Sequence, residues 1–418
     1  MTRGRRVCAS QLRRWLWTDA SGGRVFPPSS PADSDGYFRF EVVHESRKSK
    51  ARVGRLHTPH GVVDTPGFVA VGTVAALKHV PLALADAVGM QLMFCNTYHL
   101  HLLNPQAVAL AGGLHAFMGR PDRPLITDSG GFQVFSLQHG GVTEELAQGD
   151  LKKAVQRKVV GKEAVVKVTE DGCVFRSYRD GARVHLTPES SVATQKLLGA
   201  DIILPLDELP PYHTTPADLL ASTRRSHRWM ARSLTSHLAQ PQQQAMYGII
   251  HGGVDAELRA ESAAFISALP FDGNAIGGAL GRDRAEMGRM LGALMPRLSP
   301  RRPRHLLGIG DEASLRACVP LGIDTFDSAW PTRAGRHGDL LTTGGTIKLR
   351  SASLVGAHDR KPDPECGCFV CSTHSLAYLH HLYRAREPVL ATLAALHNVA
   401  FTLALMARLR AQILADEV

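Results

Sequence analysis

From about Phe38 onward the chain alternates short apolar or β-branched runs with longer stretches whose apolar residues recur at helical spacing. The runs fall at residues 68–71, 92–95, 125–126, 202–206, 247–250, 275–276, 306–309 and 325–326 and predict eight strands. Between them, residues 75–89, 188–198, 216–236, 256–269, 284–298 and 312–321 are rich in alanine, leucine and arginine and predict helices. Each link is long enough for a crossover. Eight strands alternating with helices fit a (β/α)8 barrel better than an open, doubly wound sheet.

Polar and glycine residues gather where these runs end: Asn96-Thr97-Tyr98, Asp128-Ser129-Gly130-Gly131, Asp207-Glu208, His251-Gly252-Gly253, Gly277-Gly278, Gly308 and Asp327. A single aspartate after a strand is commonly a helix N-cap, and Gly-Gly is commonly a turn. Seven such coincidences at strand C-termini instead point to an active site, because barrel enzymes build theirs from the loops at that end. An insertion near 139–184 interrupts the pattern. It carries Lys152, Lys153, Arg157, Lys158, Lys162 and Lys167, and 164–168 with 173–177 predict a hairpin around Glu170-Asp171-Gly172. Its charge suits a nucleic-acid backbone or a solvated face equally well.

Composition narrows the class. With 418 residues, 44% hydrophobic and 21% charged, the chain resembles an ordinary globular enzyme, and no uninterrupted apolar run approaches the roughly 18 residues that cross a bilayer. Disorder, collagen-like repetition and a membrane-embedded protein do not fit, so no membrane partner is expected. The net charge is +10, but residues 1–31 hold six arginines against the single acid Asp19 and so carry +5 of it. Charge alone therefore only permits a nucleic-acid partner. Residues 1–36 read as a basic leader, either disordered or a transit peptide, so the expected location is cytoplasmic or, through that leader, a mitochondrion or plastid. Residues 37–360 would form the barrel, and 361–412 a helical subdomain packed on it.

That subdomain carries the metal signal. Of seven cysteines, three sit in Cys366-x-Cys368-x2-Cys371, and His397 follows after 25 residues. Three thiolates and an imidazole complete the tetrahedral set of a structural zinc site, one ion per chain, and leave no position for a reactive water. His374, His380 and His381 are nearby imidazoles that read as helix-surface or core residues.

Asp128, Asp207 and Asp327 each end a predicted strand. Carboxylates at a barrel mouth suit glycosyl chemistry, in which one attacks an anomeric carbon and another moves the leaving group's proton. Alone they would describe a retaining glycosidase.

The surrounding motifs decide otherwise. Asn96-Thr97-Tyr98-His99-Leu100, Thr127-Asp128-Ser129-Gly130-Gly131-Phe132-Gln133, Ile323-Asp324-Thr325-Phe326-Asp327 and Pro331-Thr332-Arg333-Ala334-Gly335-Arg336, followed by the zinc pattern, closely resemble the tRNA-guanine transglycosylases. The resemblance runs from roughly Phe38 to Arg410. It implies a (β/α)8 barrel with a zinc-binding attachment that exchanges wobble guanine in tRNA for a deazaguanine without cutting the backbone. It makes Asp327 the nucleophile at the ribose anomeric carbon and Asp128 the general acid/base. Asp207 would accept hydrogen bonds from the base, with Ser129, His251, Gly277 and Gly278 around it, and Phe132 and Leu307 would sandwich its ring. Arg333 and Arg336 resemble the family's tRNA contacts. Family members work as dimers, so a homodimer or a heterodimer with an accessory subunit is expected.

Three departures bear on the base. His251 stands where bacterial members commonly have glutamine, Leu209 where they have cysteine, and Gly281 where they have valine. Removing the side chain at 281 is expected to enlarge the pocket and favour queuine, with its cyclopentenediol arm, over the aminomethyl precursor base. The pattern looks most like the chlamydial-type branch. A retaining glycosidase and a non-catalytic tRNA-binding partner subunit are the competing readings, and retention of both Asp128 and Asp327 speaks against the second.

Overall fold

The computed structural model of the protein describes residues 36–133, 165–177 and 179–418. Nearly all of the basic leader, and the insertion's Lys152, Lys153, Arg157, Lys158 and Lys162, lie outside the described residues. The chain opens with an antiparallel sheet of β1 (Arg39–Glu45), β2 (Arg52–Thr58) and β3 (Gly61–Thr65), which the sequence pattern did not predict. Then come β4 (Gly67–Val71), β5 (Met93–Cys95) and β6 (Leu125–Thr127). A second antiparallel sheet contains β7 (Val165–Val168), β8 (Cys173–Arg176) and β9 (Arg183–Leu186). Next are β10 (Ile202–Ile203), β11 (Ala245–Ile250), β12 (Gly273–Ile276), β13 (Arg304–Leu306) and β14 (Thr325–Ser328). The eight strands β10-β11-β12-β13-β14-β4-β5-β6 form a closed barrel. Each of the eight apolar runs supplies one of them, as the (β/α)8 reading expects.

Local chemistry explains where the strands depart from the pattern. The run at 202–206 pairs only over Ile202–Ile203, because Leu204 turns its backbone to the buried Gln195. Leu204 N–H donates to Gln195 Oε1 (3.1 Å), and Gln195 Nε2 donates to Leu204 O (2.8 Å). The strand expected at 306–309 sits two residues earlier, since Gly308 adopts φ +79°, a left-handed conformation that ends extended pairing. The helix expected over 75–89 is reduced to Leu82–Ala87, because Ala75 and His79 both take left-handed φ values, 60° and 65°. The hairpin around Glu170-Asp171-Gly172 forms as expected and gains β9 as a third strand.

The chain divides into two compact units. One comprises residues up to Phe40, Thr97–Phe117 and Thr127–Arg304. In it the β7–β9 sheet packs on the helix Pro216–Ala239 through a core of Tyr98, Cys173, Phe175, Leu186, Leu206 and the fully buried Trp229. Trp229 Nε1–H donates to Glu170 O (2.8 Å), and Arg228 grips the Glu170 carboxylate with two bonds of 2.7 Å. Burying the indole is worth about 4–6 kcal/mol before ordering costs. Leu209 packs against this same core.

The other unit comprises Glu41–Asn96, Met118–Ile126 and His305–Val418. Its spine is the helix Val389–Leu414. This helix is long and apolar enough to cross a membrane by composition, which the run-length reading overlooked, yet 72% of its most apolar stretch is buried inside the protein. His397 and Asn398 interrupt the apolar run. Both are buried, and Asn398 Nδ2 donates to Pro331 O (3.0 Å) and Asp339 O (2.8 Å). The helix Trp330–Arg336 meets the spine at Gly335, where a Cβ would lie 2.6 Å from the backbone of Ala394 and Ala395. Only glycine permits that approach.

Candidate functional site

The predicted site residues fall at strand ends in both units. In the first unit, Asp128 follows β6 and is buried. Thr97 N–H donates to its Oδ1 (2.6 Å), and the Thr97 hydroxyl donates to its carbonyl (2.5 Å). The turn after it fits because it lacks side chains. Gly130 has φ +86° and a Cβ would lie 3.2 Å from Tyr98 N, while at Gly131 a Cβ would lie 2.9 Å from Asp207 O. Ser129 Oγ accepts from Gly131 N–H (3.2 Å), and Ser191 Oγ donates to Ser129 O (2.7 Å). The Asp128 turn is therefore seated against the backbone that carries Asp207.

Asp207 pairs with His251. Their side chains are 6% and 3% exposed, and His251 Nε2 lies 2.9 Å from Asp207 Oδ2. A carboxylate only accepts, so the ring carries its hydrogen on Nε2 and turns Nδ1 toward Gly278, whose Cβ would lie 3.3 Å from it. The His251 backbone N–H donates to Ser262 Oγ (2.9 Å), which also meets His227 Nε2 (2.9 Å). Burial, followed by the neighbouring His251, pushes the His227 pKa down to about 3, so that ring stays neutral. Gly277 N–H donates to Ile250 O (3.3 Å). The glycine loops after β11 and β12 share one clamp, the fully buried Arg259. It donates to Gly253 O (2.7 Å), Ile250 O (2.6 Å) and Ala279 O (3.0 Å), and burial pulls its pKa down to about 9.

Gly281 lies just before the helix Arg284–Leu294. It has φ +126°, and a Cβ there would meet Met287 N at 2.9 Å, Glu286 Cβ at 3.3 Å and Asp283 O at 3.4 Å. The turn into the helix Arg284–Leu294 therefore itself favours glycine at this position. Phe132 is 42% exposed, a flat apolar surface open to solvent.

In the second unit, Asp327 ends β14 with its side chain 11% exposed. Gly308 N–H donates to Asp327 Oδ1 (3.0 Å), and His305 Nε2 lies 3.1 Å from the same oxygen. Leu307, half-buried, stands between these two donors. A Cβ at Gly310 would collide with Ser328, so this loop closes directly over the end of β14. Three residues before Asp327, the fully buried Asp324 binds Arg52 through two bonds of 2.8 and 2.7 Å. Arg333 and Arg336 are half-buried on the helix Trp330–Arg336, with the Arg333 guanidinium 5.8 Å from the Trp330 ring centre. Burial, and then the charge of Arg333, lowers the pKa of Arg336.

Cys366, Cys368, Cys371 and His397 come together as a possible metal site, their ligand atoms all within 4.8 Å of one another. Metal–sulfur bonds of about 2.3 Å and metal–nitrogen bonds of about 2.0–2.1 Å put tetrahedral ligands roughly 3.5–3.8 Å apart. Cys368 Sγ and Cys371 Sγ lie 3.6 and 3.2 Å from His397 Nδ1. His397 Nε2 donates to Leu341 O (2.8 Å), which fixes the tautomer and leaves the Nδ1 lone pair facing the sulfurs. The donor set fits a tetrahedral, soft metal such as zinc. None of the competing imidazoles joins it: His380 Nδ1 bonds Leu349 O (2.7 Å), and His374 and His381 flank the Tyr378 ring.

Sequence reasoning missed the supporting shell of Gln195, Ser191, Ser262, His227, Arg259 and His305. A polar residue facing the core from an apolar helix face, as Gln195 does from Pro188–Leu198, is the signal that could have found part of it.

Comparison with known proteins gives this geometry its context. The family model described as queuine tRNA-ribosyltransferase matches residues 46–418. The chain is 52% identical over 382 residues to the queuine tRNA-ribosyltransferase of Protochlamydia amoebophila (strain UWE25), covering 91% of this chain and 96% of that protein. It is 48% identical over 383 residues to the protein of the same name from Chlamydia muridarum (strain MoPn / Nigg), covering 91% and 99%. With the strand-end aspartates, the closed barrel and the Cys3His cluster all in place, the chain belongs to the queuine tRNA-ribosyltransferase family, the tRNA-guanine transglycosylases.

Proposed function

We propose that this protein exchanges the wobble guanine of tRNA for a deazaguanine base through a covalent tRNA–Asp327 intermediate, with queuine as the favoured base. The observation that carries the reading is that Asp128, Asp207 and Asp327 are each buried and hydrogen-bonded at a barrel-strand end in a chain of this family. A carboxylate oxygen of Asp327 bonds the ribose anomeric carbon as the bond to guanine breaks, and the bonding pair leaves with the purine. Asp128 gives the departing guanine a proton, then removes one from the incoming base. That base attacks the same carbon and releases Asp327.

Asp207 reads the N–H edge of the base through Oδ1, since Oδ2 is engaged by His251. Ser129, Gly277 and Gly278 complete the polar rim, and Phe132 and Leu307 supply flat apolar surfaces for the ring. Arg333 and Arg336, two cations on one short helix, bind tRNA phosphate. Zinc held by Cys366, Cys368, Cys371 and His397 would cross-link the loop before Phe369–Thr373 to the long helix; its role is structural. The queuine preference is supported by the names of the relatives. As in the family at large, a dimer is the expected working form, either with a second copy or with an accessory subunit.

The test offers labelled guanine, the aminomethyl precursor and queuine to one tRNA. Incorporation of queuine ahead of the precursor is expected, and precursor incorporation alone would reverse the base assignment. Asp327→Asn is expected to bind tRNA yet form no denaturation-resistant adduct, because an amide does not displace guanine. Asp128→Asn is expected to lose turnover, and a rate within a few-fold of wild type would make Asp128 structural.

A further inference from the structure

Asp327 is held by one oxygen. Two donors meet Oδ1, the His305 ring at 3.1 Å and Gly308 N–H at 3.0 Å, and among the described residues neither reaches Oδ2. His305 is fully buried. Its other nitrogen, Nδ1, lies 2.8 Å from Thr325 Oγ1, and the Phe94 ring stacks on it at 6.4 Å and 19°. An ionised carboxylate is acceptor-only, so Nε2 carries the hydrogen; in the neutral ring Nδ1 then accepts the Thr325 hydroxyl. Thr325 and Asp327 point to the same side of β14, being two residues apart, so one ring bridges both.

We propose that His305 is the positioning residue of the nucleophile: with Gly308 N–H it anchors Oδ1 of Asp327, so that Oδ2 is the oxygen that bonds the anomeric carbon. The inference rests on Asp327 being the nucleophile. A carboxylate free to rotate about its terminal torsion offers two oxygens in many orientations, whereas one pinned at Oδ1 presents a single oxygen in one direction. The donors serve both halves of the reaction. As the Oδ2–carbon bond forms and guanine leaves with its electron pair, Oδ1 becomes the ester carbonyl and keeps its two hydrogen bonds. When the incoming base attacks, the ester bond breaks, the electron pair returns to the carboxylate, and the same donors stabilise the charge that develops there. His305 contacts neither substrate nor reacting carbon and acts through Asp327.

The test compares His305→Phe, which keeps the ring's shape and its stacking on Phe94, with His305→Gln, whose side-chain amide restores an N–H donor. Single-turnover formation of the denaturation-resistant tRNA adduct, steady-state kcat and KM for tRNA, and thermal stability are measured on each. For His305→Phe, adduct formation and kcat are expected to fall together by about 10- to 100-fold, the scale of one lost charge-assisted hydrogen bond, with KM for tRNA unchanged. His305→Gln is expected to recover most of that loss. A folded His305→Phe protein that forms adduct at the wild-type rate overturns the proposal, as does a His305→Gln protein as slow as His305→Phe. If His305→Phe does not fold, Thr325→Val, which strips the hydroxyl from the far side of the ring at nearly constant shape, takes its place. Slower adduct formation supports the proposal, and a wild-type rate refutes it. Asp327→Asn, run alongside, separates the two readings: adduct from that variant removes the nucleophile itself, whereas its absence beside an unaffected His305→Phe removes only the positioning role.

Discussion

The unit that carries Asp128 and Asp207 and the unit that carries Asp327 and the cysteine cluster hold their carboxylates by similar donors, a buried histidine or a backbone N–H, but buttress the surrounding loops differently. In the first, support is spread over several buried side chains. Thr97, Ser191 and Ser262 each make one or two side-chain bonds, Gln195 makes four and Arg259 three, mostly to backbone. In the second, Asp327 has two donors, and the strongest tie nearby is the buried Arg52–Asp324 pair three residues upstream; the Cys3His cluster on the long helix would add another with a metal bound. Under the proposed mechanism, distributed support would suit a surface that matches the several polar edges of a base, and concentrated support a single atom that attacks in one direction.

Breaking one strong tie should cost the most. Cys368→Ser is expected to lower metal content and stability together, by about 4 kcal/mol or more, the range of a lost structural metal. Metal analysis beside a urea titration checks it, and full stability in a metal-free preparation would contradict the structural role. The matching lesion in the first unit is Gln195→Leu, which leaves Thr127 Oγ1 and both backbone groups of Leu204 without their partner. A loss of about 2–4 kcal/mol is expected, with metal content untouched, because buried groups are left unsatisfied.

Gly281→Val sharpens the comparison on the base side. Strain at a left-handed φ and the clash with Met287 N are expected to cost about 1–3 kcal/mol and to slow guanine and queuine exchange alike. A selective loss of queuine would instead place Gly281 beside the base's arm. The smallest effect concerns pH. His227 has its pKa depressed to about 3 in the folded protein against about 6.5 unfolded. The unfolded chain therefore binds a proton between those values that the folded chain does not. Stability from this group is complete above about pH 6.5 and declines by up to about 1.4 kcal/mol per pH unit below it. Thermal melts of His227→Gln between pH 7 and 4.5 should show a shallower acid slope than wild type.

These contrasts also explain what the sequence could reveal. All eight barrel strands were legible because a barrel buries both faces of its strands, and runs such as Ala245–Ile250 carry that burial as unbroken apolarity. Their ends were not, because side chains far along the chain set them, as Gln195 does at Leu204. The Cys3His cluster was legible from its spacing, and motifs singled out the three aspartates, which the fold places buried after or near the ends of barrel strands. Their supports were not, since Ser262, His227 and His305 look in sequence like any helix serine or core histidine. Gly281 carries a local constraint that the sequence did not reveal: a Cβ there would lie 2.9 Å from Met287 N at the start of the next helix.

Arg259 sets a limit on how this site can change. Among the described residues no carboxylate pairs with it, and its planar fork spans three carbonyls, one at the end of β11 and one in each of the loops after β11 and β12. Such a fork works as a fixed gauge: one residue inserted into either loop would draw a carbonyl out of reach and strand a buried cation. Barrel enzymes commonly diversify by lengthening the loops after their strands. Here those after β11 and β12 are held to length by the one guanidinium.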